Sequence, residues 1–123
     1  MKKSIGKFDN QDMYLTIANY KNNGRIYIAL ENEDFFFFFF FTINLSDMLL
    51  PDDDYIFVNN DMTRELRNFL EEKKIIGETV FTNKYNMGHY DMVQVDFDLL
   101  KEYDPEGFEK FEDYKNKTDD YEL

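Results

Sequence analysis

The chain has 123 residues with 14 Lys and Arg against 26 Asp and Glu, a formal net charge of -12, and no cysteine. That length fits one domain, and the missing cysteines exclude disulfides, thiol catalysis and Cys-ligated metal clusters. The acid excess argues against direct nucleic-acid binding, which rests on Lys and Arg neutralising phosphates, while 43% hydrophobic residues leave enough apolar side chain for a packed core.

Met1-Lys2-Lys3 opens like a secretory signal, but the polar stretch 4–12 supplies no apolar region behind it. The longest apolar run, Phe35–Phe41, falls far short of the ~20 residues of a membrane helix. A cytoplasmic protein without membrane attachment is expected.

Met13, Leu15 and Ile17 alternate with Tyr14, Thr16 and Ala18, and Ile26, Ile28 and Leu30 alternate with Tyr27 and Ala29. Both have the period of two that marks a strand. Asn23-Gly24 between them suits a type I′ turn, because both residues tolerate positive φ, so an antiparallel hairpin is expected over about 12–31. A third strand is expected from about Phe35 to Leu45. The run Phe35–Phe41 has no side chain to set its register, since a slip leaves the same residues in place. As a strand it would need cover on both faces. Two other readings stand beside that one: a local irregularity of the sequence, and an aromatic platform for stacking a ligand.

Leu49–Asp54 reads as a loop and Tyr55–Val58 as a further strand or a helix entry. A helix follows, capped by Asn60, Asp61 or Thr63, with Leu66, Phe69 and Leu70 at helical spacing and Gly77 as its stop. Thr79–Thr82 and Met92–Phe97 read as strands, linked through Asn83–Asp91. Asp98–Tyr103 reads as one helical turn or two. Asp104-Pro105 then reads as N-cap and first residue of a last helix, with Phe108 and Phe111 inward. The fold class is therefore α+β: one small domain, a mostly antiparallel sheet packed by a central and a C-terminal helix. The domain is expected over 1–115, with 116–123 a flexible acidic tail.

The charge is uneven. Residues 1–30 hold five bases (Lys2, Lys3, Lys7, Lys21, Arg25) and two acids (Asp9, Asp12), a net of +3. Residues 31–61 hold eight acids and no base, a net of -8. Glu31, Glu33, Asp34, Asp52, Asp53 and Asp54 are the candidate binding residues of that block. Such clustering steers cationic partners, so the expected partner is a basic, nucleic-acid-binding protein. Solubility alone is the plainer reading of the same acids.

Few other side chains carry chemistry. His89 is the only histidine, and with Tyr85, Tyr90 and neighbouring acids it is the alternative centre for a ligand site or enzyme. No motif supports a Ser-His-Asp arrangement. Asp52-Asp53-Asp54 fails the calcium-loop pattern, because the sixth position is Phe57 and the twelfth Thr63. No Gly-rich phosphate loop is present. No cofactor, no metal site and no catalytic residue is expected.

Thr42-Ile43-Asn44-Leu45, Leu50-Pro51-Asp52-Asp53-Asp54-Tyr55, Val58-Asn59-Asn60 and Phe97–Gly107, with its Leu-Lys-Glu-Tyr-Asp-Pro-Glu-Gly segment, resemble a family of small uncharacterised proteins. That family is a domain of unknown function carried on plasmids, conjugative elements and phages of low-GC Gram-positive bacteria. The resemblance covers about 42–111 and implies no catalytic positions. The Phe run departs from it, since relatives are expected to have a mixed strand there. The Asn, Ile, Lys, Phe and Tyr content fits an AT-rich genome. By this setting the resemblance implies an acidic accessory protein acting by protein binding, including the anti-defence role of a DNA mimic against restriction or CRISPR nucleases. A housekeeping interaction module of the element is the third reading.

Overall fold

A computed structural model describes residues 2–33 and 38–121, with side chains through residue 116. Asp34 and the first part of the Phe run lie outside the described residues. The chain forms β1 (Gly6–Phe8), β2 (Gln11–Asn19), β3 (Ile26–Asn32), β4 (Phe38–Phe40), β5 (Thr42–Ile43), β6 (Tyr55–Val58), α1 (Arg64–Glu72), β7 (Ile76–Tyr85), β8 (Gly88–Val95), α2 (Phe97–Tyr103) and α3 (Pro105–Tyr121). The α+β class holds. The strands make two four-stranded antiparallel sheets, however: a first in the order β1-β2-β3-β4 and a second in the order β5-β6-β8-β7. Among the described residues no helix is long and apolar enough to cross a membrane.

The β2–β3 hairpin forms with Leu15 opposite Leu30 and Ile17 opposite Ile28. Its turn is longer than the two-residue type expected. Tyr20 N–H donates to Arg25 C=O, and only Gly24 takes a positive φ, of 74°. Asn23 instead uses its side chain, accepting from Arg25 N–H and donating to Asn44. A two-residue turn with both central residues at positive φ does occur, at Asp9 and Asn10 between β1 and β2. No strand was expected before it, because Gly6–Phe8 is too short to show a period.

The expected third strand is two. β4 pairs with β3, placing Ala29 opposite Phe40 and Leu30 opposite Phe39, whereas β5 pairs with β6. The chain changes sheets at Phe41. Its N–H donates to Ile28 C=O at 3.0 Å in the first sheet, and its C=O accepts from Asn59 N–H at 2.9 Å in the second. A regular antiparallel pair would also return Ile28 N–H to Phe41 C=O. The Thr42 hydroxyl takes that donor instead, freeing the carbonyl for Asn59. Strands that switch sheets make the corners of such packings. The register of the Phe run is thus fixed from its end, by Thr42 and Asn59. Along the described part, Phe39 and Phe41 turn inward and Phe38 and Phe40 outward, so the outer pair lacks the cover expected of it.

Between the sheets lie Leu15, Ile28 and Leu30 of the first and Ile56, Val58 and Val93 of the second, joined by Phe69 and Leu70 of α1 and by Phe108 and Phe111 of α3. A smaller cluster on the other face of the second sheet packs Leu45, Phe57 and Met92 under Tyr55, Tyr85 and Tyr90. Thr63 is the N-cap of α1, accepting from Leu66 N–H at 3.2 Å. The helix stops before Gly77, at Lys74, which takes the left-handed conformation itself (φ 62°). β7 and β8 are longer than expected and form one hairpin, absorbing the segment Asn83–Asp91 except for the turn at Asn86 and Met87. Their polar residues alternate on exposed faces and so lack an apolar period. The α3 backbone runs to Tyr121, into the stretch expected as a tail.

Asp104, buried at the start of α3, accepts from Ile17 N–H of β2 at 2.8 Å and from Gly107 N–H. Gly107 lets the helix sit this low, since a Cβ there would lie against the Asp104 carboxylate and 2.6 Å from Ile17 C=O.

Two outcomes follow. Gly107→Ala gains about 1 kcal/mol of helix propensity but must push α3 off β2, and overpacking of this kind costs about 1–3 kcal/mol. The net effect in urea denaturation is destabilisation. Thr42→Val keeps the shape but leaves Ile28 N–H without its acceptor and takes from the Tyr20 hydroxyl its 3.0 Å bond to Thr42 Oγ1, leaving it the Thr42 carbonyl at 3.3 Å. It lowers unfolding free energy by about 2 kcal/mol, and Thr42→Ser retains most of that stability.

Candidate functional site

Three of the five bases of residues 1–30 are engaged by acids and carbonyls distant in sequence, while Lys7 and Lys21 stand exposed. Lys2 pairs with Glu31 at 3.1 Å and Lys3 with Glu102 at 2.8 Å. Arg25 donates to the carbonyls of Leu45 and Met48, and the burial this requires lowers its pKa.

The expected acidic residues fall into two groups at opposite ends of β3. Glu31 lies on the outer face of the first sheet, its carboxylate taking Lys2 and the Thr16 hydroxyl. Glu33 is exposed just beyond it, and Asp34 lies outside the described residues. Asp52, Asp53 and Asp54 lie beyond the other end, where Asp52 and Asp53 line one cleft with Asn23, Arg25 and Lys115. Asp52 accepts from Asp53 N–H, Asp53 pairs with Lys115 of α3 at 2.7 Å, and Asp54 accepts from Gln94 at 2.7 Å. The five described residues are not one patch.

What the fold brings to Asp54 is different. An open cleft of about 470 Å³ is lined by Asp54, Asp96 and Asp98 with Lys74, Gln94 and Phe97. Asp96 caps α2 through the N–H groups of Asp98 and Leu99, which holds its carboxylate at the rim. Through Lys115 the 52–54 loop also abuts α3, whose exposed side carries Glu109, Glu112 and Asp113. Exposed acids therefore stand on α3, where Lys110 lies among them, on the 52–54 loop and at the start of α2. Asp96 and Asp98 were not singled out from sequence, where Asp96 read as the outward residue of a strand. The signal available was the acid pair flanking the first residue of a short apolar helix. Among the described residues no group of three His, Asp or Glu is placed to hold a metal ion.

His89 lies on β8 opposite Lys84, exposed, and its ring makes no hydrogen bond among the described residues; only its carbonyl is engaged, by Asn60. Tyr85 and Tyr90 pack edge to face at 6.5 Å over the smaller core cluster, and Tyr85 donates to Asp47. They do not converge with His89 on a cleft wall.

The densest polar network joins α1 to the β7–β8 hairpin. Arg67 reaches Asp91 at 2.8 Å, Thr79 at 2.7 Å and Glu71 at 3.5 Å, and Thr82 donates to the other Asp91 oxygen. Burial works to raise the Asp91 pKa, but the hydrogen bonds from Arg67, Thr82 and Thr79, with the Arg67 charge, outweigh it and hold the carboxyl below its ordinary value. A depressed folded pKa stabilises the native state above the unfolded value, about 4, and that stability disappears as pH falls through the folded value. Asp91→Asn is accordingly less stable at pH 7, and its melting temperature falls less steeply than that of the unsubstituted chain below about pH 4.

The family model of a domain of unknown function (DUF4313) matches residues 14–115. No curated protein and no solved structure matches the chain.

Proposed function

We propose the following reading for this chain, which belongs to the DUF4313 family: a non-enzymatic protein that binds a basic partner protein through the acidic side formed by Asp52, Asp54, Asp96, Asp98 and the exposed face of α3. The observation that carries it is the pairing pattern. The fold consumes Lys2, Lys3, Arg25, Arg67 and Lys115 internally, while the rim acids of the cleft face one base, Lys74. Clustered like charge costs the folded state self-repulsion, and opposite charge on a partner relieves it and speeds encounter.

The finer reading is an accessory protein of a mobile element whose carboxylates stand in for phosphates on a restriction or CRISPR nuclease. Its support is the composition, 26 acids to 14 bases, and the placement of acids along a helix and loop rather than in a closed pocket. The His89 ring is exposed, and no carboxylate hydrogen-bonds it among the described residues, so the acidic surface is preferred to a small enzyme centred there.

Affinity capture from host lysate at about 50 mM salt, where surface charges are weakly screened, recovers a basic nucleic-acid-binding protein. The double reversal Asp54→Lys with Asp98→Lys lowers its affinity at least about tenfold. Recovery of no basic protein, or unchanged affinity of the variant, sinks the reading.

A further inference from the structure

The outer face of the first sheet carries aromatic rings that the core does not use. Phe38 and Phe40 are 55% and 44% exposed. Phe40 stacks on Tyr27 at 6.3 Å and 29°, and Tyr27 meets Tyr20 edge to face at 5.6 Å. Ala29, opposite Phe40 in register, is a small floor between these rings. Contiguous exposed apolar surface on a small protein marks an interaction site, and a stable interface needs a desolvated aromatic centre with a polar rim.

The rim here is acidic. Glu31 stands opposite Phe38 in register, Glu33 follows it, and residues 31–61 hold no base at all. Glu31 already holds a cation: the Lys2 ammonium lies between its carboxylate and the Thr16 hydroxyl. The chain thus places one of its own basic side chains on this face. The Tyr27 pKa is raised, by burial first and then by Tyr20 and Glu31.

We propose that this face docks an extended, arginine-bearing segment of a basic partner, its guanidinium lying on the rings of Tyr27 and Phe40 and taking the place of the Lys2 ammonium at Glu31. Arginine fits better than lysine because its planar, weakly hydrated cation stacks on rings while its fork pairs with a carboxylate. A nucleic acid would find here only Lys2, already paired with Glu31, to hold its phosphates. An anionic membrane surface or a second copy of this -12 chain meets like charge. The basic sign of the partner rests on the function proposed above; the site, and the preference for arginine, do not.

The test titrates the full chain with two synthetic peptides of alternating Arg-Ser or Lys-Ser, equal in length and charge. The arginine peptide is expected to bind about tenfold tighter. Phe40→Leu and Tyr27→Leu keep apolar area but remove a π face, and each reduces the preference to about twofold or less, whereas Asp54→Lys with Asp98→Lys weakens both peptides alike. A melting curve on each variant checks the fold, and Phe38→Leu supplies a further variant at the most exposed ring. Equal affinity for the two peptides, or a preference that survives both ring variants, overturns this proposal alone. Failure of both peptides to bind overturns the acidic-surface reading and this proposal with it. Concentration-dependent self-association that Phe40→Leu abolishes assigns the face to a second copy and also overturns it.

Discussion

The N–H of Ile28 has two acceptors within reach of its strand, the Phe41 carbonyl that regular pairing would supply and the Thr42 hydroxyl, and the fold depends on its taking the second. Because the hydroxyl satisfies that donor, the carbonyl is free to accept from Asn59 and start the second sheet. An unpaired N–H at this depth would cost about 1–3 kcal/mol, so the switch depends on a side chain that carries its own acceptor. Asn59 completes the joint. Its amide donates to Phe40 C=O at 3.0 Å, its own carboxamide oxygen accepts from Asp61 N–H, and its carbonyl accepts from Met62, which turns the chain toward α1. One residue pair thus sets where the first sheet ends, how the second begins and where the central helix starts.

This joint also accounts for a homopolymer that could not choose its own register. Seven phenylalanines offer no feature by which one pairing with β3 is preferred over another two residues along. Placing Phe41 at the corner, with Thr42 on Ile28 and Asn59 on Phe40, leaves a single alignment that satisfies all these groups. Slipping the run by two would put a phenylalanine where the hydroxyl is required. The inward ring of Phe41 then becomes fully buried, and its neighbour Phe40 is left outside by alternation alone.

The local elements were legible where one face is apolar and the other wet. Met13–Ile17, Ile26–Leu30, the α1 triplet Leu66, Phe69 and Leu70, and the Asp104-Pro105 helix start all carry their period or cap in adjacent residues. The division into two sheets was not legible, because it is decided by a hydrogen bond between Ile28 and Thr42, fourteen positions apart. The long β7–β8 hairpin was hidden for a related reason. At the edge of the second sheet, exposed on both faces through much of its length, β7 has no hydrophobic alternation to read. The acidic site was half legible. Composition located Asp54, but only the fold could bring Asp96 and Asp98 beside it and send Glu31 to the far end of β3.

The segments that carry the family resemblance bear on what kind of protein this is. Thr42 and Asn59 make the corner; Asn44 and Leu45 hold the β2–β3 turn through Asn23 and Arg25. Asp104 and Gly107 seat α3 on β2. Each has a task in joining elements. Asp52–Asp54 and Asp98 of these same segments stand on surface clefts, and Asp96 beside them also caps α2. Joints and exposed acids thus share the same stretches of chain, so the contacts that hold the elements together also set where the acids stand on the surface.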